Sequence, residues 1–199
     1  MKKLFATIIL LGSFATATTI ISCNNQNDTK PVAVGSTISK DSMIKRGEYL
    51  VTIMGCDDCH SPKKLGPHGP EPDMDKRLSG HPADMPLGNF KQGDLKSWIL
   101  FNQNLTAFVG PWGVSYAANL TSDDTGIGTW SEKQFMKALR EGKYKGMDNS
   151  RPLLPPMPWP NFSKASDEDL KAIFSYLKST KPVNNVVPAP IAPQTLASK

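Results

Sequence analysis

Two cysteines and a histidine are spaced so that together they could hold a metal cofactor. They lie in the run GCDDCH at residues 55–60, which contains the pattern C-x-x-C-H. Cysteines three residues apart lie on one face of a helical turn, so both sulfurs can form thioethers with the two vinyl groups of one porphyrin. The histidine that follows is then directed at the iron. The motif predicts a single covalent haem c, attached to Cys56 and Cys59 and ligated by His60.

Other uses of this cysteine pair fit the sequence less well. A zinc site needs further ligands at short spacing, and although His68 and His81 follow the motif, no second pair of cysteines does. A thioredoxin-like redox pair sits at the start of a helix in a βαβ unit, whereas no strand is predicted before Cys56. A disulfide between Cys56 and Cys59 would constrain almost nothing, because the loop it closes is very short.

A haem iron bound to His60 needs a sixth ligand or an open site. Four methionines lie in loop sequence: Met74, Met85, Met147 and Met157. Met157 stands in the proline-rich run LLPPMPWP, and prolines lower the entropy cost of presenting a weak thioether ligand. Met157 is therefore the predicted sixth ligand, and a loop methionine packed on the core is the alternative. His68 and His81 are rivals for the iron, but we expect both to be ordinary surface histidines.

The first 22 residues have the pattern of an export signal. Lysines follow Met1, a mostly apolar run extends over residues 4–21, and polar chain follows it. A membrane-spanning helix is the alternative, but the run is near the lower limit of about 17 to 25 residues and contains several hydroxyl side chains. The run IISC at residues 20–23 resembles the bacterial lipobox, which implies that Cys23 is lipidated and anchors the mature protein to a membrane.

Composition limits the rest of the chain to one domain. The 199 residues carry a net charge of +5 and 39% apolar residues, which excludes collagen, wholesale disorder and a large multidomain enzyme. The charge is too mild and too scattered to predict nucleic-acid binding. We expect a signal peptide over residues 1–22, a flexible tether over 23–40, a folded domain over 41–182 and a Pro-rich extended tail over 183–199.

Three segments of the domain carry helix signals. Apolar residues recur at helical spacing over residues 43–54, a capping-box pattern opens a second helix over 131–142, and a third occupies 166–177. Residues 61–118, by contrast, are rich in Gly and Pro and offer only one short element of uncertain type over 95–101. The predicted fold class is all-α and cytochrome c-like, with three or more helices around one haem and a long Gly/Pro-rich loop insertion.

This order of helix, C-x-x-C-H, loop, helix, methionine loop and helix resembles class I cytochrome c over about residues 41–182. More closely, several runs resemble a bacterial exported monohaem group often described as accepting electrons from dehydrogenases. These runs are RGEYLV at 46–51, NLT at 119–121, TGIGTW at 125–130, PPMP at 155–158 and DLKAIFSYL at 169–177. The resemblance implies that Met157 is the distal ligand and that Trp130 contacts the haem. It also implies that the first and last helices cross at Gly47, against Tyr176 or Phe174.

The function that the resemblance implies is electron transfer and not enzymatic catalysis. We expect a lipid-anchored protein of the bacterial cell envelope, facing the periplasm or the outer surface. It would carry single electrons between a dehydrogenase, an oxidase or another cytochrome and an acceptor. A haem-based ligand sensor and a small-molecule haem enzyme with a displaceable distal ligand are the alternatives. Cations near the motif could steer an acidic partner, although a solvated charged surface is the commoner meaning of such a group: Lys63, Lys64, Lys76 and Arg77.

Overall fold

The computed structural model describes residues 39–197, which include the whole of the predicted domain. The predicted signal peptide, the lipidation site Cys23 and most of the predicted tether lie outside the described residues. Over residues 39–197, none of the helices combines the length and the apolar character that crossing a bilayer requires.

Two long helices form the centre of the domain. Helix α1 spans Lys40–Ile53, and α5 spans Asp167–Leu177. Each begins at a serine whose hydroxyl accepts a hydrogen bond from a backbone N–H of the first turn: Ser39 for α1 and Ser166 for α5. Such caps satisfy N–H groups that have no partner inside the helix, and the acidic first turn of α5 favours the same end electrostatically.

The crossing of α1 and α5 depends on Gly47. A Cβ atom at this position would lie 2.0 Å from the backbone oxygen of Ala172 and 2.7 Å from Cβ of Tyr176. Because both obstacles belong to a helix, neither can move aside cheaply. The expected crossing at Gly47 is confirmed, with Tyr176 as the neighbour, while Phe174 packs instead against Phe135 at 5.3 Å between ring centroids.

A third long helix, α3, covers the other side of the core and spans Glu132–Glu141. Its predicted capping box is present: the Ser131 hydroxyl and the Gln134 side chain each accept from a backbone N–H of the other residue. The helix ends at Gly142, whose φ of +64° lies in the left-handed region that glycine adopts without strain. Three short helices complete the set: α2 (Cys56–His60), α4 (Trp159–Phe162) and α6 (Pro193–Ala197).

Residues 61–118, here called the insertion, form two small antiparallel sheets. One is a hairpin of β1 (Lys63–Gly66) and β2 (Gly69–Pro72). The other has the order β3-β4-β5, with β3 at Leu100–Phe101, β4 at Ala107–Gly110 and β5 at Gly113–Tyr116. The all-α prediction is therefore wrong for the insertion, and its uncertain element over residues 95–101 consists of the end of a 3₁₀ turn followed by β3.

The strands are not predicted from the sequence because they are short and their residues do not alternate between polar and apolar. Each has between two and four residues, and all four residues of β4 are buried, so the polar–apolar period of two that marks a half-exposed strand is missing. The turns depend on Gly69 and Gly113, with φ of +116° and +93°. In the sequence these glycines are indistinguishable from loop glycines.

From residue 183 the Pro-rich tail runs without a helix until α6 (Pro193–Ala197), and it is fastened to the insertion. The side-chain amide of Asn185 donates to the backbone oxygens of Ser79 and His81 at 2.7 and 2.8 Å, and its oxygen accepts from the Ala83 N–H. Further along, Ile191 exchanges two backbone hydrogen bonds with Val114 of β5. The tail thus covers the free edge of the three-stranded sheet.

Candidate haem centre

The histidine of the C-x-x-C-H motif lies at the end of α2 and is buried. Its Nδ1 is 2.7 Å from the backbone oxygen of Ala118. Since a carbonyl only accepts, the neutral ring carries its proton on Nδ1 and leaves the lone pair on Nε2. Burial lowers the pKa of His60, although the bond to Ala118 opposes that shift, so the ring is neutral as a metal ligand must be.

The Ala118 carbonyl is held in place by the insertion. Leu120 donates its N–H to the Leu78 oxygen at 2.8 Å, and His81 donates to the Ala117 oxygen at 2.9 Å. Gly80, which lies between Leu78 and His81 in the sequence, donates its N–H to the backbone oxygen of His60 at 2.7 Å. The insertion therefore fixes both the backbone and the ring of this histidine, a contribution that sequence reasoning missed because it is made by main-chain atoms.

The two cysteines of the motif are free thiols in the structure and partly buried. Burial raises the pKa of Cys56 to about 12, and the neighbouring Asp57 adds to that shift. Burial also raises the pKa of Cys59. A thioredoxin-like pair needs a lowered thiol pKa to supply its thiolate. The environment of these thiols therefore disfavours a dithiol redox centre.

Of the four loop methionines, Met157 has the surroundings that a haem ligand needs. It is partly buried and packs against the same apolar core cluster as Cys56. Met74 and Met147 are 61% and 48% exposed, and the sulfur of Met85 accepts hydrogen bonds from two asparagine amides. Two further methionines, at the end of α1 and within α3, also pack against this cluster: Met54 and Met136. Of the four loop methionines, the structure thus brings Met157 to the cluster against which Cys56 packs.

The loop that contains Met157 is hydrogen-bonded to the insertion through the hydroxyl of Ser115. The Ser115 hydroxyl of β5 donates to the Pro155 backbone oxygen at 2.6 Å and accepts from the indole N–H of Trp112 at 3.1 Å. Within the loop, the Met157 N–H bonds to the Leu154 oxygen at 3.3 Å. Trp130, the other predicted haem contact, also packs against the core cluster. Cys56, Trp130 and Met157 therefore all pack against the same apolar core cluster.

Curated relatives point to the same chemistry, although no protein-family model matches the chain. It is 32% identical over 145 residues to the gluconate 2-dehydrogenase cytochrome c subunit of Pantoea cypripedii, a match that covers 72% of this chain and 24% of that protein. It is 29% identical over 157 residues to the cytochrome c subunit of alcohol dehydrogenase (quinone) of Gluconobacter oxydans, covering 76% and 25%. It is 27% identical over 143 residues to the fructose dehydrogenase cytochrome subunit of Gluconobacter japonicus, covering 71% and 22%.

The chain is thus a relative of the dehydrogenase-associated c-type cytochromes. It spans about a quarter of the length of the three relatives described. The relationship implies covalently bound haem c, and the donor set fits that group. Two thiols share one helical turn, a buried neutral imidazole has a free Nε2, and a thioether lies at the adjoining apolar cluster.

The other two histidines of the chain lie apart from the motif in their environments. His68 is exposed in the turn between β1 and β2, as expected. The expectation that His81 lies at the surface is wrong, because it is fully buried. Its Nδ1 is 2.9 Å from the Thr106 hydroxyl and its Nε2 is 3.2 Å from the Met85 backbone oxygen. With both ring nitrogens engaged, His81 belongs to the core of the insertion.

A zinc site has no support in the described part of the chain. No group of three or more His, Cys, Asp or Glu residues within residues 39–197 is arranged to hold a metal ion. Structural zinc takes four such ligands. The cysteine pair therefore has no zinc-site partners there.

Two of the four cations near the motif form hydrogen bonds inside the protein and are not free surface charges. The Lys63 ammonium donates to the backbone oxygens of Asp57, Asp58 and Ser61, at the end of α2. Arg77 binds the carboxylate of Asp57 through two of its nitrogens. Both cations thus neutralise the C-x-x-C-H turn. The other two, Lys64 and Lys76, are exposed.

Proposed function

We propose that this cytochrome is a single-electron carrier of the bacterial cell envelope that accepts electrons from a dehydrogenase. The observation that carries the proposal is the buried C-x-x-C-H turn whose histidine is oriented by the Ala118 carbonyl. The cytochrome c subunits of dehydrogenases among its relatives support the choice of donor. One C-x-x-C-H occurs in the sequence, so we propose one haem per chain.

Cys56 and Cys59 would hold the haem covalently, and His60 and Met157 would be the axial ligands. When bound, the haem supplies reversible exchange between Fe(II) and Fe(III). His60 would provide Nε2, Met157 would provide its sulfur, and the apolar cluster would exclude water from the haem, which favours the reduced state and raises the potential. With both axial positions filled, no site remains for a substrate. A carrier is therefore favoured over the sensor and enzyme alternatives.

The membrane anchor is a second part of the proposal. The lipobox-like run before Cys23 supports acylation of that thiol, with firm attachment because several acyl chains anchor where one does not. Full-length protein expressed in bacteria should partition with membranes, and mass spectrometry of its N-terminal peptide should show acylated Cys23. The Cys23→Ser variant should be released. An unmodified Cys23 in the membrane-bound protein would contradict the anchor.

The haem proposal is tested on the purified protein matured in a host that assembles c-type cytochromes. Denaturing gels should retain haem on the chain, and the pyridine haemochrome should give one haem per protein. The optical spectrum should be six-coordinate and low-spin, with a weak sulfur-to-iron band. Colourless protein with two free thiols in the motif would overturn the proposal.

The ligand is assigned by matched methionine variants. Met157→Ala should abolish the sulfur-to-iron band and let cyanide or carbon monoxide bind readily. Met85→Ala is the control, because its sulfur is already engaged by asparagine amides, and the band should survive. If the band persists in Met157→Ala, the ligand is one of the other loop methionines.

The electron donor is tested by reduction of the haem. Ferric protein added to membranes of its native host should be reduced when a dehydrogenase substrate such as gluconate, an alcohol or fructose is supplied. The Met157→Ala variant, with a lowered potential, should be reduced to a smaller extent. Reduction at equal rates without substrate would contradict a dehydrogenase donor.

A further inference from the structure

An aspartate between the two cysteines is bound by an arginine of the insertion. Arg77 meets Asp57 in a two-pronged contact, with Nε at 2.9 Å from Oδ1 and Nη2 at 2.7 Å from Oδ2. The side chains are only 20% and 16% exposed. Two parallel charge-assisted bonds fix orientation as well as distance. The carboxylate therefore has one defined position beside the haem-attachment turn.

The same arginine reaches the helical centre of the domain. Its Nη1 donates to the Tyr176 hydroxyl at 2.6 Å, and its guanidinium carbon lies 5.8 Å from the centroid of that ring. Tyr176 is also the residue that packs on Gly47 where α1 crosses α5. Arg77 thus joins the turn that carries Cys56 and Cys59 to the helix crossing.

A further contact holds the aspartate from the side of the motif. The Ser61 hydroxyl donates to Oδ1 of Asp57 at 2.7 Å and accepts from the Leu78 N–H at 2.9 Å. Leu78 directly follows Arg77 in the insertion and is fully buried. The charge pair is therefore built into the core on the insertion side and has little freedom to rearrange.

We propose that Arg77 is a positioning residue for the haem-attachment turn and that Asp57 and Arg77 each compensate the effect of the other's charge on the reduction potential of the haem. The inference rests on the proposed function, because it needs the haem on Cys56 and Cys59. Asp57 directly follows one attachment cysteine, so its charge lies close to the porphyrin by covalent connection alone.

The effect of each charge has a definite sign. A negative charge near the iron stabilises Fe(III) and lowers the potential, whereas a positive charge stabilises Fe(II) and raises it. Charges that are mostly buried are screened less than surface charges, so each acts over a longer range. In the intact pair the two effects largely cancel. Removing either partner exposes the haem to the charge of the other.

The test is a set of redox titrations on the holoprotein at neutral pH. Asp57→Asn should raise the potential, because the charge of Arg77 is left uncompensated. Arg77→Gln should lower it, because the charge of Asp57 is left uncompensated. The double variant should return close to the wild-type value. Shifts of the same sign in both single variants, or no shift in either, would overturn the inference.

Two further variants separate charge from geometry. Arg77→Lys keeps the positive charge but loses the two-pronged contact, so its potential should stay near the wild-type value while its urea unfolding midpoint falls. Tyr176→Phe keeps the pair and removes only the hydroxyl that Arg77 binds, and its potential should also stay near wild type. If Arg77→Gln does not fold, two variants still test the inference. It requires a raised potential in Asp57→Asn and an unchanged potential in Arg77→Lys.

Failure of this inference is distinguishable from failure of the proposed function. If the protein carries thioether-bound haem but its potential is the same in both single variants as in the wild type, only the role of the charge pair is contradicted. A colourless protein with free thiols would remove the haem itself. Lys64→Ala serves as the charge control, because that lysine is exposed and its loss should leave the potential unchanged.

Discussion

The helical part of the domain, formed by α1, α3 and α5, and the insertion contribute to the proposed haem centre in different ways. The helical part supplies most of the large core residues around which Cys56, Trp130 and Met157 gather. The insertion supplies the carbonyl that orients His60 and the arginine that binds Asp57. One part thus builds the apolar core against which the motif packs, and the other orients the histidine and the aspartate of the motif.

The two parts also differ in how they are held together. The helical part buries whole side chains, among them Leu170 and Leu177 at 0% and 2% exposure. The insertion also buries apolar side chains, among them those of β4, but its strands are short, and backbone hydrogen bonds and the amide of Asn185 from the tail add to its stability. A change in the helical part should therefore act mainly on stability, and a change in the insertion mainly on the haem centre.

The largest effect is expected at the helix crossing. Gly47→Ala places a Cβ 2.0 Å from a backbone oxygen of α5, which should lower the free energy of unfolding by about 3 kcal/mol or more. Gly93→Ala in the insertion is the matched control, because a Cβ there meets no atom within 4 Å. That control should change stability by less than about 0.5 kcal/mol in urea titrations. Equal losses of stability in Gly47→Ala and Gly93→Ala would contradict the difference drawn between the two parts.

The next effect is expected where the insertion meets His60. Gly80 has φ of +78°, and a Cβ there would lie 2.5 Å from the Ala117 oxygen and 2.7 Å from the Ala118 oxygen. We expect Gly80→Ala to cost about 2 kcal/mol in urea unfolding and to alter the low-spin haem spectrum.

The control for Gly80 is another glycine with positive φ. Gly69→Ala at φ +116° meets no atom within 4 Å, so it should show backbone strain of about 1 kcal/mol with an unchanged spectrum. A spectrum that is altered equally in both variants would show that the carbonyl of Ala118 does not align the ligand.

The pH dependence of stability should report the contact between the C-x-x-C-H turn and the insertion. Burial alone would raise the pKa of Asp57, but hydrogen bonds from Arg77 and Ser61 outweigh it and hold the pKa below its ordinary value of 3.8. A depressed pKa stabilises the folded state above the unfolded pKa, and that contribution is lost as pH falls through the folded pKa.

The wild type should therefore lose stability more steeply than Asp57→Asn as the pH is lowered from about 5 to about 3. Urea unfolding at a series of pH values measures the difference. Parallel curves for the two proteins would mean that the carboxylate has the same pKa in the folded and unfolded chains.

The smallest effect is expected at the surface of the insertion. Lys64 and Asp73 form an ion pair at 3.9 Å whose lysine is 58% exposed. Lys64→Ala should change the free energy of unfolding by less than about 0.5 kcal/mol, since such pairs are solvated and screened. A loss comparable to that of Gly80→Ala would mean that exposed contacts stabilise the insertion after all.

Much of the helical part could be predicted from the sequence because its signals are local. The capping box of α3, the serine caps and the period of 3.6 residues each lie within a few positions of one another. The C-x-x-C-H pattern is equally local and predicts its cofactor from spacing alone. The strands of the insertion could not be predicted, because buried short strands show no alternation and their partners are chosen by packing.

Residue types and their spacing are enough to predict the groups proposed to hold the haem: two thiols, one imidazole and one proline-flanked thioether. The tertiary structure shows what orients the imidazole and the turn that carries the thiols. Ala118 acts through a carbonyl that every residue possesses, and the partner of Asp57 lies twenty positions away along the chain. It also buried His81 and engaged both its nitrogens. These outcomes depend on which distant segments meet, and local spacing carries no information about that.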